Sequence, residues 1–324
     1  MAGQIFAYIT HKTGKADDSA LELATAAGKI YPDGSTTAIV TGAGADLDAV
    51  CSEVANSYKE VWKFDHDLLT YPNAEAIRKL LVAVLPQDAV LLAAHDTFGM
   101  DLCPGLSIKL DAVFAADIVD IEGLEGNILN VIRQEYSGQV STHVACDIAN
   151  GAVLNVRPGV FQPDESGSAG GQVIDKSSEI TDLTTGRRFL EIVEAEAGDV
   201  DITKEDVLVS VGRGIEDQDN IEIAEELAEA MGAVVSCSRP IVDAKLLEKA
   251  RQVGTSGKTV KPKVYLALGI SGSFQHLGGL KGKPFIVAVN KNPKAPIFQV
   301  ADVGIVEDLL DFVPVLTEKI QEGK

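Results

Sequence analysis

The stretch GISGSFQHLGG, residues 269–279, sets Ser271, Ser273, Gln275 and His276 among glycines between two apolar runs, KVYLAL and KGKPFIVAVN. Small residues let backbone approach a ligand closely, and hydroxyl, amide and imidazole groups offer it donors. Three readings compete. A serine nucleophile needs GxSxG, but Gly269-Ile270-Ser271-Gly272-Ser273 has serine where the last glycine belongs. Its base would follow it in the chain, and His276, the only histidine beyond Ser271, is too local to serve convincingly. A strand, a glycine turn and a short helix from about Phe274 would instead make an anion site, with backbone N–H groups and a helix dipole facing the ligand. A tight turn with a structural histidine is the plain third reading.

Three more clusters in the same half of the chain carry comparable chemistry. SVGRGIEDQDN places Arg213 between Gly212 and Gly214, a fixed cation able to meet a phosphate bidentately. It is not a dinucleotide fingerprint, because GxGxxG would need glycine at 217, where Asp217 stands. CSRP presents Ser238 and Arg239, and the arginine would bring a permanent positive charge to an electron-accepting ring. QVGTSGK, residues 252–258, brackets Thr255 and Ser256 with Gly254 and Gly257. Such a loop cradles phosphate or offers a hydroxyl donor, although its spacing is not GxxxxGK[ST]. For each cluster alone, a solvated or flexible turn is the plain alternative. As four strand exits in one half of the chain they weigh more, because ligands of open α/β sheets sit at the carboxyl ends of strands. Asn290 and Asp308 follow later apolar runs and are unremarkable alone.

The elements that must position these groups follow from the apolar pattern. Over about the first 120 residues, QIFAYIT, TTAIVTG, EVWKFD and DAVLLAAH read as buried strands. DDSALELATAAGKI, LDAVCSEVANS and PNAEAIRKLLVAVL between them read as helices, so the pattern predicts a doubly wound α/β domain with a mostly parallel sheet. From about residue 111, AVFAADIVDI, NILNVIRQ, QVSTHVACD and AVLNVRPG are strand-like with short turns and predict an antiparallel annex. FQPDESGSAGGQVID (161–175) predicts an exposed loop, and RRFLEIVEAEAGDVDI a strand closing the first domain. A second alternation begins near residue 205. DVLVSVG, AVVSCS, KVYLALG and PFIVAVN are strands; DQDNIEIAEELAEAMG, DAKLLEKARQVG and the terminal LLDFVPVLTEKIQ are helices. The boundary falls near 195–204, giving domains 1–198 and 199–324.

Length and composition agree. A chain of 324 residues, nearly half of them apolar, builds two domains with large cores. The net charge of −20 repels phosphate backbones and anionic membrane faces, so nucleic acid is not an expected partner. Four scattered cysteines without a CxxC pair make neither a disulfide framework nor a zinc or iron–sulfur site. MAGQIFAYIT enters a strand pattern at once and carries no export or organelle signal, and no apolar run approaches a membrane span. A cytoplasmic, prokaryotic protein with reduced thiols is expected, with no metal site and no catalytic residue.

Taken together, these stretches resemble the alpha subunit of electron transfer flavoprotein. The resemblance lies in VYLALGISGSFQHLGGLKGKPFIVAVN, continues through NKNPKAPIFQVADVGIVEDL, and includes GRG, SRP and QVGTSGK upstream. It is specific over 205–324 and weaker in motifs over 1–195, where the order of elements fits. It implies a heterodimer with a beta subunit. It also implies one FAD held by a Rossmann-like parallel-sheet second domain, with AMP or a second FAD in the beta subunit. Carried over, the flavin contacts are Arg213, Ser238, the loop Val253, Gly254, Thr255, Ser256 and Gly257, and the stretch Ser271, Gly272, Ser273, Phe274, Gln275 and His276. Asn290, Asp308 and Leu309 complete the set. Arg239 matches the arginine near the flavin ring, and Ser256 the hydroxyl that faces flavin N5. Many relatives have threonine at that position, whose methyl stiffens χ1.

The physical chemistry is consistent with a single-electron carrier. Uptake of charge near N1 and the C2 carbonyl calls for Arg239 and a donor from His276, with Ser256 tuning N5. The resemblance then implies electrons taken from flavin dehydrogenases of the acyl-CoA dehydrogenase type, as in fatty acid β-oxidation, and passed to a quinone reductase or other acceptor. A bifurcating variant would oxidise NADH with a second FAD in the beta subunit. A pyridine-nucleotide dehydrogenase, a hydrolase reactive at Ser271 and a non-redox binding module are the readings from other classes.

Overall fold

The computed structural model describes residues 4–32, 34–136, 140–163, 170–191 and 200–323. The chain divides into two compact units, Met1–Glu191 and Ile192–Lys324. Part of the expected boundary, 195–199, lies outside the described residues.

Strand β1 (Ile5–Ile9) is buried along its whole length because it is apolar on both faces. Ile5, Ala7 and Ile9 join one core cluster, and Phe6 and Tyr8 the other. A short hairpin of β2 (His11–Lys12) and β3 (Lys15–Ala16) follows, then α1 (Ser19–Ile30). Next come β4 (Thr36–Gly42), α2 (Gly44–Val54), β5 (Glu60–Asp65), α3 (Ala74–Val84), β6 (Val90–Ala94) and α4 (Thr97–Leu110). Leu23, Ala27 and Ile30 of α1 and Leu47 and Val50 of α2 pack on the first face; Ile77 and Leu81 of α3 and Leu102 and Leu106 of α4 pack on the second. The remaining strands are β7 (Val113–Glu125), β8 (Ile128–Glu135), β9 (Val140–Asp147), β10 (Ala152–Val156) and β11 (Gln172–Asp175). The sheet order is β11-β5-β4-β1-β6-β10-β7-β8-β9. The first seven strands run parallel, and only β7-β8-β9 is antiparallel.

Three expectations for this unit are corrected. AVLNVRPG is not part of the annex: β10 returns to the middle of the sheet and pairs parallel with β6 and β7. All five of its residues are buried, which suits a central position. The stretch 161–175 is not wholly a loop either, since Gln172–Asp175 adds a parallel edge strand beside β5. Gly171 permits this: a Cβ there would lie 1.8 Å from the Tyr58 carbonyl oxygen. Residues 164–169 of that stretch, and 192–199 of the expected closing strand, lie outside the described residues. Residues 187–191 form no strand.

The second unit has five parallel strands, β12 (Val207–Val211), β13 (Val234–Cys237), β14 (Val264–Leu268), β15 (Phe285–Val289) and β16 (Val303–Ile305). Their order is β13-β12-β14-β15-β16. Helix α5 (Ile221–Met231) ends on Gly232 in the left-handed conformation. Helix α5 and the terminal α8 (Leu309–Glu322) pack together on one face with Leu266 and Leu268 of β14. Two short helices, α6 (Arg239–Asp243) and α7 (Phe274–Leu277), stand between. The opposite face, with Tyr265 and Ala267, is covered by Val253, Val260, Ile270 and Ile297 from connecting segments. The helix expected at DAKLLEKARQVG does not form. Pro240 opens α6 earlier, in the first turn where its missing N–H costs nothing, and Lys245 at φ +60° stops continuation. Leu246 and Leu247 then pack on the core as a turn. Among the described residues no helix is long and apolar enough to cross a membrane.

Candidate functional site

The ends of β12 and β14 bring the first two clusters together. The Gly212 N–H donates to the Leu268 carbonyl at 2.8 Å, and the Gly214 N–H to the Gly269 carbonyl at 3.2 Å. A Cβ on Gly212 would lie 2.4 Å from the Gly269 carbonyl oxygen, so these glycines serve loop against loop. The expected close approach to a ligand is not their first task.

The loop 252–258, expected as a strand exit, follows no strand. It lies beside the end of β13, where the Val253 N–H donates to the Cys237 carbonyl at 2.8 Å. It is joined to the stretch 269–279 by the Thr255 N–H donating to the Gln275 carbonyl at 2.8 Å. Gly254, at φ +142°, and Gly279 meet so closely that a Cβ on Gly279 would lie 2.3 Å from the Gly254 nitrogen. Asn290, after β15, donates from Nδ2 to the Ile270 carbonyl and accepts at Oδ1 from the Asn292 N–H, both at 2.9 Å. Its amide therefore ties loops together. Helix α7 is a single turn that begins after Ser273, too short to accumulate the dipole that the sequence suggested.

These loops enclose a cavity of about 630 Å³ at the carboxyl ends of the second sheet. Arg213, Ser238, Arg239, the run Val253–Ser256, Ser271, Ser273, Gln275, His276, Asn290, Asp308 and Leu309 all line it. Three expected residues do not. Gly257 packs on the Gln252 carbonyl, and Gly272, at φ +81°, packs on the Ile297 backbone. Phe274 is exposed at the start of α7. The sequence reading missed Glu216, Asp243, Gln252, Lys291, Asn292 and Pro296, which also line the cavity. The run NKNPKAP directly after the strand signal was the cue for the last three.

The charges at the mouth are arranged unevenly. Arg239 lies 3.4 Å from Asp243, and Lys291 bridges Glu216 at 2.8 Å and Asp308 at 3.3 Å. Arg213 is exposed and makes no ion pair among the described residues. Asp308 caps α8 by accepting from the Leu310 N–H at 3.0 Å. That bond and Lys291 hold its carboxyl below the usual range.

His276 is buried, with Nε2 paired to the Tyr265 hydroxyl at 2.7 Å. Burial lowers it to about 4, opposed by the Val253 main chain, so the ring is neutral at pH 7. Its Nδ1 is enclosed and has no hydrogen-bond partner. The imidazole is engaged by Tyr265 rather than by Ser271, which removes the serine-nucleophile reading.

Comparison with known proteins extends the match to both units. A family model described as the electron transfer flavoprotein FAD-binding domain matches residues 201–281, and one described as the electron transfer flavoprotein domain matches residues 5–180. The electron transfer flavoprotein subunit alpha of Thermoanaerobacterium thermosaccharolyticum is 33% identical, covering 99% of this chain and 98% of that protein. The subunit alpha of Bacillus subtilis is 34% identical, covering 92% of each. A probable mitochondrial subunit alpha of Cryptococcus neoformans is 34% identical over 96% of this chain and 90% of that protein. On these matches, the chain belongs to the electron transfer flavoprotein alpha-subunit family.

Proposed function

We propose that the second unit is a Rossmann-like domain that holds one FAD in the cavity at its strand ends. In this reading the chain works as the flavin-bearing subunit of a heterodimeric electron carrier. The residues fit the group. The volume lies within the range of about 300–1,000 Å³ usual for cofactor sites. Its wall offers the hydroxyls of Ser238, Thr255, Ser256, Ser271 and Ser273 and an arginine without an ion pair. The enclosed, unpartnered Nδ1 of His276 is the kind of buried polar atom that a ligand satisfies. The single observation that carries the reading is convergence: groups far apart in sequence, picked out one by one, line one cavity.

Bound FAD would supply single-electron redox chemistry through its isoalloxazine ring. The chain's residues bind, orient and set charge. Arg213 is free to pair with a phosphate. Arg239 places a permanent cation at the cavity. His276 stays neutral and offers a hydrogen bond without a charge. Ser256 presents a hydroxyl. Electron transfer of this kind requires no general acid, nucleophile or metal. The partners proposed are a beta subunit, a flavin dehydrogenase of the acyl-CoA dehydrogenase type as donor, and a quinone reductase or other acceptor.

The test is co-purification with the beta subunit. The expected complex is yellow, releases FAD on denaturation with one flavin assigned to this chain, and accepts electrons from a reduced flavin dehydrogenase. A colourless complex that takes up no added FAD overturns the reading.

A further inference from the structure

We propose that Gln252 is a positioning residue that sets which way the Ser256 hydroxyl points its proton. The inference rests on reading the cavity as a flavin site. Gln252 is only 4% exposed, and its Nε2 donates to Ser256 Oγ at 2.9 Å. An amide nitrogen can only donate. The serine oxygen must therefore accept on that side, and its own proton is left for an acceptor elsewhere. Both residues line the cavity, so a ligand atom placed there can be that acceptor.

The surrounding loop makes this a fixed arrangement. The Lys258 N–H donates to the Gln252 carbonyl at 2.6 Å and the Gly257 N–H to the Gly254 carbonyl at 2.9 Å. A Cβ on Gly257 would lie 2.3 Å from the Gln252 carbonyl oxygen, so only glycine lets the turn close this far. With the backbone set, the remaining freedom is the serine χ1 and the hydroxyl rotor. Serine lacks the β-branch that restricts χ1. The Gln252 amide supplies that restraint by a hydrogen bond instead. A donor held in advance stabilises a ring atom that gains negative charge, without reorganising at the moment of transfer.

The test is a double-mutant cycle on the flavin-loaded complex with the beta subunit, read by midpoint potential and visible spectrum. Gln252→Met removes the donor at similar volume without adding charge, and Ser256→Ala removes the hydroxyl. Gln252→Met is expected to shift the potential negative in the wild-type background, by no more than Ser256→Ala does. In the Ser256→Ala background it is expected to shift nothing further. No shift, or an equal shift in both backgrounds, overturns the proposal. If Gln252→Met loses its flavin, the cycle is run with Gln252→Asn, whose shorter amide does not reach. Loss of flavin from both variants while Ser256→Ala stays loaded assigns Gln252 to loop folding and also overturns it. A flavin-free wild-type complex would instead overturn the cofactor reading itself.

Discussion

His276 shows how a residue marked by the sequence acquires a different job in the structure. The sequence suggested a donor aimed at the ring's anionic edge. The structure turns Nε2 to the Tyr265 hydroxyl and leaves Nδ1 enclosed and without a hydrogen-bond partner. Burial lowers the folded value to about 4, against about 6.5 in an unfolded chain. Between these values the unfolded state binds the proton and the folded state does not, so stability falls as pH drops from about 6.5 to 4. His276→Gln removes this linkage. Urea unfolding of the second unit between pH 7 and pH 4 is expected to show a loss in the wild type that exceeds the variant's by up to about 3 kcal/mol. Equal slopes for the two proteins would mean the imidazole is not held neutral. Asp308 and Asn290 make the same point through their hydrogen bonds. Both lie on the cavity wall, yet their carboxylate and amide are engaged in capping α8 and joining loops.

At the scale of elements, the cavity is built by loops that lock through glycine. Gly272 is the clearest case: its φ is +81°, and a Cβ there would lie 2.4 Å from the Ile297 nitrogen. Gly272→Ala must strain the backbone and push apart two loops that carry cavity residues. The expected result is a loss of about 2 kcal/mol or more in the second unit and a fall in bound flavin, read by urea unfolding and by FAD content. Unchanged stability would show that the loop 295–297 yields freely. Much of this frame was legible, because β1, β4, β6, β12 and β14 are apolar runs with no other stable place than a buried parallel sheet. Helix α4 was not. Its Gly99, Pro104 and Gly105 weaken any local helix signal, and it forms because Asp96 caps it by accepting from the Gly99 N–H and because Leu102 and Leu106 bury fully. The return of β10 to the sheet centre is a long-range pairing that no local pattern encodes. Within the site, glycines, hydroxyls and arginines stood out by type. Gln252 and Lys291 are ordinary residues whose importance lies in what they touch, so the sequence alone passed over them.

The whole molecule carries a net charge of −20, yet Arg213, Arg239 and Lys291 gather at one cavity in its second unit. Glu216, Asp243 and Asp308 line the same cavity and pair with Arg239 and Lys291, so among the described residues Arg213 is the cation left for an anionic ligand there. The two units have separate sheets and cores: a nine-stranded sheet with two core clusters in the first, a five-stranded sheet with two others in the second. Nature provides a reporter for each. The single tryptophan, Trp62, lies in β5 of the first unit, with its ring 5.0 Å from Phe6 and the Lys176 amine 4.1 Å above it. The proposed flavin lies in the second unit. Separate sheets and cores predict that Gly272→Ala lowers the denaturant midpoint of flavin release while the Trp62 fluorescence transition stays within error of the wild type. If both transitions move together by the same amount, the two units unfold as one cooperative body, and the destabilisation of a single cavity loop is transmitted to the first sheet.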